Sequence, residues 1–143
     1  MNDLVDANLY KQITEILINA RNQTYRAANS AMVAAYWQIG KSIVERQGGA
    51  DRADYGTQLI TELSKKLTED FGKGFDERNL RNMRAFYLAF PIWNTVCTEL
   101  TWSHYRTVLR VENEAARNWY IQEAISQSWS VRQLDRQIST LYY

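Results

Sequence analysis

Arg78, Arg81 and Asn82 fall within about one turn of a predicted helix in the segment FGKGFDERNLRNMRAFYLAFP, and their types and spacing suit nucleic-acid chemistry. Arginine offers a planar fork of N–H donors that grips a phosphate or the edge of a guanine. Asparagine pairs with adenine or with a phosphate oxygen. All three lie near the start of the helix, where unpaired amides and the helix dipole also favour an anion. The preceding helix, TQLITELSKKLTEDF, and the Gly72-Lys73-Gly74 break complete the outline of a helix-turn-helix, whose second helix meets a groove through its N-terminal residues. On this reading Arg78, Arg81 and Asn82 are the principal DNA contacts, and Lys73, Arg84 and Arg106 hold phosphates. The competing reading is an ordinary solvated face of an amphipathic helix, tied by salt bridges to neighbouring acids.

Other constellations are weaker. Trp102, His104, Tyr105, Arg106 and Arg110 mix aromatic and basic side chains, as single-strand binders do. Trp102 and Tyr105 equally suit a core, with the arginines outside it. His104 has no carboxylate or serine partner in a catalytic spacing and is expected to be structural. Arg132 and Arg136, one turn apart, suit a phosphate, a solvated face or a neighbouring domain. The GKG tripeptide lacks the spacing of a phosphate-binding loop, and no zinc motif is present. Asp51, Asp54, Glu69 and Asp70 have no partner lysine in a nuclease-like arrangement. No cofactor, metal or catalytic residue is therefore expected.

The elements that must position these residues read as helices. Among 143 residues there are six Gly and one Pro, and apolar residues make up 45%. That is one domain with material for a core, and no alternating strand pattern appears. Apolar positions from Leu9 to Ile43 recur every three or four residues, so a helix of about 40 residues is predicted, with a possible bend in RNQTYRAANS. A helix that long, roughly 60 Å, exceeds what a small core can cover, so a homodimer through it, buried along residues 8–47, is expected. Gly48 and Gly49 end it, and a polar loop follows to Gly56. Further helices are predicted from Thr57 to Phe71, from Asp76 as N-cap to Phe90, from Thr101 or Ser103, from Asn113 to Ser126, and from a Ser130-x-x-Gln133 capping box to Tyr143 without a stop signal. The fold class is all-α, with about six helices, a long N-terminal helix and a central helix-turn-helix-like unit.

Charge is nearly balanced, 17 basic against 16 acidic, which excludes a globally basic nucleic-acid coat and an acidic disordered tail. Residues 73–110 nevertheless hold six basic and three acidic side chains. Only a folded surface can gather that excess into a patch. The lone Cys97 forms no internal disulfide and fits a cytoplasmic setting. No signal peptide and no span long enough for a bilayer is visible.

Three blocks carry a family resemblance: AYWQIGKSIVE with the following Tyr55-Gly56, FGKGFDERNLRNMRAFYLAFP, and the run from Leu100 to Tyr143. They resemble the N-terminal domain of the YhcG-type bacterial proteins over nearly the whole chain. The resemblance implies an all-helical domain, residues 1–143, followed in its relatives by a PD-(D/E)XK-like nuclease domain. It implies a non-enzymatic module whose partners are DNA and its own C-terminal nuclease domain, with no membrane. It assigns no residue a role. The expected function is a DNA-binding module that positions the nuclease. The alternative is a homodimerisation and docking module without nucleic-acid contact.

Overall fold

A computed structural model describes residues 6–48 and 53–140. Among these residues the secondary structure is helical: α1 (Ala7–Gln47), α2 (Ala53–Phe71), α3 (Glu77–Ala89), a single 3-10 turn (Trp93–Thr95), α4 (Trp102–Val108), α5 (Glu114–Ser126) and α6 (Val131–Ser139). The all-α class, the six helices and the long first helix are as the sequence predicts. Part of the predicted loop, residues 49–52, and the last three residues of the predicted final helix lie outside the described residues.

Side chains at the helix starts explain most of the boundaries. Asp6, Asp76, Thr101, Asn113 and Ser130 each accept a hydrogen bond from the amide three residues on. Each satisfies one of the amides that a helix start leaves without a partner. The capping box at Ser130 forms as predicted, with Gln133 returning to the Ser130 amide at 2.8 Å. α1 runs as a single helical segment through RNQTYRAANS. Two expectations need correction. α2 begins at Ala53, four residues before Thr57. α6 stops at Ser139, with Thr140 as its cap, rather than continuing to Tyr143.

α3 lies against α1, and that pair is the spine of the fold. Leu80, Met83 and Phe86 of α3 are fully buried, and Val33, Trp37, Gly40 and Ile43 face them from α1. Gly40 sits at the crossing, where an added Cβ would lie 2.0 Å from the Met83 carbonyl oxygen. The helices touch there backbone to backbone. A second cluster joins α3 to α4, α5 and α6 around Phe86, Phe90, Tyr105, Tyr120 and Leu134. Phe86 packs 4.7 Å from Tyr105 and 5.3 Å from Trp102, ring centre to ring centre. Trp37 ties α1 to the end of α3 by donating to the Phe90 carbonyl at 2.7 Å.

α2 flanks this spine and contributes Ile60 to the smaller cluster. The helix-turn-helix outline of α2 and α3 thus exists along the chain, but α1 is what chiefly holds α3 in place. Only the second half of α1 belongs to the body. Asn29 is the first anchor, donating to the Thr98 and Leu100 carbonyls at 3.2 and 3.0 Å. From Ala7 to Ala28 nearly every residue is exposed, Ile16 to 65% and Leu17 to 57%.

Tyr105 closes the linker between α3 and α4. Its hydroxyl donates to the Cys97 carbonyl at 2.6 Å and accepts from the Cys97 amide at 2.8 Å. Burial holds its phenol well above the ordinary range; the Cys97 backbone hydrogen bond opposes that shift without cancelling it. A raised folded-state pKa means that stability is fully present below the ordinary tyrosine value of about 10 and is lost as pH rises beyond it. We expect the denaturant midpoint to begin an extra fall above about pH 10. Tyr105→Phe removes that extra fall and costs about 1–2 kcal/mol at neutral pH, because two part-buried backbone groups of Cys97 lose their partner. Equal alkaline losses in both proteins would contradict this assignment.

Candidate nucleic-acid interface

The turn before α3 is built by Gly72 and Gly74, whose φ values of +80° and +104° are strained for any residue with a side chain. Asn79 locks it. Its amide group donates to the Gly74 carbonyl at 2.6 Å, its carbonyl accepts from the Trp102 indole at 3.0 Å, and its backbone N–H bonds the Asp76 cap at 2.8 Å. The start of α3 is therefore held in register with the start of α4.

That register opens a cleft of about 750 Å³ between the first turn of α3, the outer face of α4 and the start of α6. Arg78 and Asn82 line it from α3, Arg106 from α4, Arg110 from the turn that follows α4, and Arg132 from α6. Arg78 and Arg132 each occupy the second position of their helix, next to Asp76 and Ser130 as caps. Two helix N-termini therefore turn toward the arginine-lined space. The cleft also contains two acids, and both are engaged. Asp76 caps α3, and Asp135 pairs with Arg110. Arg106 donates to Ser103 Oγ at 3.1 Å. Among the described residues Arg78, Arg81 and Arg132 form no ion pair. Such a surface attracts a polyanion, since four guanidinium groups from three helices and a turn face the same water-filled space.

Of the six residues singled out in the sequence, the structure brings Arg78, Asn82 and Arg106 together in the cleft. Lys73, in the turn before α3, and Arg81, on α3, are exposed and do not line it. Arg84 points elsewhere. Its Nη1 donates at 3.2 Å to Oε1 of Gln47, which is buried, and both pack over Gly56. Burial, aided by the charge of Arg81, holds the Arg84 guanidinium below its usual range. Arg84 thus serves the junction of α1, α2 and α3.

Arg110 and Arg132, which the sequence offers only as weaker candidates apart from the principal six, also line the cleft. The signal for Arg132 lay in the capping box, which places it on α6 as Asp76 places Arg78 on α3. His104 is structural, as expected. It completes the capping box of α4, accepting from the Thr101 N–H on Nδ1 at 3.2 Å, which leaves Nε2 to donate to the Trp129 carbonyl at 2.8 Å. Among the described residues no three His, Cys, Asp or Glu side chains gather in a metal-binding cluster, and no helix is long and apolar enough to cross a membrane.

Fold and cleft together define an all-helical domain with an arginine-lined surface groove. The chain belongs to the DUF1016 N-terminal domain family, whose pattern it matches over residues 12–143. It is 39% identical over 171 aligned residues to the Escherichia coli (strain K12) protein named "Putative nuclease YhcG", an alignment covering 94% of this chain and 46% of that protein. The chain therefore spans less than half the length of that relative. No solved structure matches it.

Proposed function

We propose that this domain binds DNA through the α3–α4–α6 cleft and so positions a nuclease domain carried by the same protein. The observation that supports it most is the convergence of Arg78, Asn82, Arg106, Arg110 and Arg132 on one cleft whose acids are already engaged. Arg81 on α3 and Lys73 in the turn before it are exposed and add basic charge to this part of the molecule. The name of the E. coli relative supports the link to a nuclease. The domain itself contributes binding and orientation, and phosphodiester cleavage belongs to the other part of the protein.

The test is fluorescence anisotropy of a labelled duplex titrated with the chain over a series of salt concentrations. Each phosphate contact releases condensed counterions, so log K falls with log salt by about 0.9 per contact. Three to five engaged arginines give a slope between about −3 and −5. Binding that ignores salt, or no binding at low salt and tens of micromolar protein, would overturn the reading.

A further inference from the structure

The exposed half of α1 and a groove at its other end match one another. From Leu9 an uncharged stripe climbs the helix through Ile13 and Leu17, then through Ala20, Thr24, Ala28 and Ala31 to Ala35, at the three-and-four spacing that keeps one face. The first half is rich in exposed Leu and Ile, and the second half is small. Beyond Ala35 the same side of α1 forms one wall of an apolar groove of about 620 Å³. Its lining includes Ala35, Ile39 and Ile43 from α1 and Leu59, Leu63 and Leu67 from α2, with Arg46 also at its wall.

The 22 residues from Ala7 to Ala28, nearly all exposed, extend about 33 Å as a helix. They include Ile, Thr and Asn, which are poor formers of solitary helix, so an external surface must supply stability. α1 cannot fold back on itself to deliver Leu9–Leu17 into its own groove. A second copy can.

We propose that two copies of this chain pair antiparallel along α1, each laying its N-terminal arm in the groove of the other. In the register where paired residue numbers sum to 52, Leu17 meets Ala35, Ile13 meets Ile39, and Leu9 settles over the groove floor, where Ile43 is already buried. Thr24 and Ala28 cross near the two-fold axis, where small side chains let the helices approach. Asp6 at the tip of the arm reaches Arg46 at the groove. Both residues are exposed in the isolated chain, and they supply the charge complementarity at each end. The contact is isologous and closes on itself, as a two-fold dimer requires. The face of α1 that carries Val33, Trp37 and Gly40 is covered by α3 and takes no part.

The test is sedimentation equilibrium of the 143-residue chain. A dimer at tens of micromolar is expected. Ile13→Glu with Leu17→Glu, both on the exposed arm, raises the dimer dissociation constant at least about a hundredfold while the body keeps its thermal transition. In a Cys97→Ser background, Leu17→Cys and Ala35→Cys chains mixed with a short bismaleimide cross-link preferentially to each other. A wild-type monomer, which leaves the face to another partner, would overturn the proposal. So would a dimer indifferent to the arm substitutions, or cross-links mainly between two Leu17→Cys chains.

Discussion

Gly40→Ala should be the most damaging single-methyl change in this protein. The new Cβ would stand 2.0 Å from the Met83 carbonyl oxygen, 2.7 Å from its carbonyl carbon and 3.2 Å from the Tyr87 Cβ. The first two are backbone atoms of α3, so no rotamer change relieves the overlap. α1 and α3 must separate, and the parting opens the contacts of Leu80, Met83 and Phe86, each 0% exposed. Overpacking of a core costs about 1–3 kcal/mol where side chains can yield. Here they cannot, and we expect a loss above about 3 kcal/mol, or a fall in Tm of roughly 10 °C or more for a domain of this size. Gly72→Ala is the control. Its Cβ meets nothing within 4 Å, so only the positive φ is strained. That costs about 1 kcal/mol. Thermal melts followed by circular dichroism compare the two, and a Gly40→Ala protein melting within a few degrees of the wild type would refute the backbone crossing.

Arg78→Ala combined with Arg106→Ala should weaken duplex binding about thirtyfold or more. Each substitution removes a charged donor from the cleft, at a cost of about 1–1.5 kcal/mol per lost phosphate contact. The salt slope should become shallower by about 0.9 for each. Arg84→Ala makes the opposite prediction on both axes. Its guanidinium is held at Gln47, away from the cleft, so affinity and slope stay at wild-type values while stability falls by about 1–2 kcal/mol. Equal binding losses from Arg84→Ala and from the cleft pair would mean that general basicity, and not the cleft, carries the interaction.

The two results are linked through the fold. Arg78 and Asn82 face the cleft because α3 is pinned from behind by the Gly40 crossing and at its start by Asn79. A protein that loosens the first should lose cleft geometry before it loses helix content.

Much of this was legible in the sequence because it rests on local signals. Cap side chains bond within three residues, so the starts at Asp76, Asn113 and Ser130, and one at Thr101 or Ser103, could be read directly. The apolar spacing of Leu80, Met83 and Phe86 likewise marked the buried side of α3. The start of α2 was misplaced because the polar residues before Thr57 give no periodic signal. The end of α6 was misplaced because neither Gly nor Pro marks it.

The amino-acid order by itself thus determined the all-α class, the caps, the long first helix and the arginines at the head of α3. Only the tertiary structure decided which arginines share a space. Arg84 is only two residues from Asn82, yet a helix turns about 100° per residue, so the two side chains leave nearly opposite faces of α3 and Arg84 reaches Gln47 instead of the cleft. Arg132 is 54 residues from Arg78, yet α4 and α6 pack so that both line one cleft. Hydrogen bonding over three or four residues can be read from spacing. The meeting of distant helices depends on how whole faces fit, which no local pattern encodes.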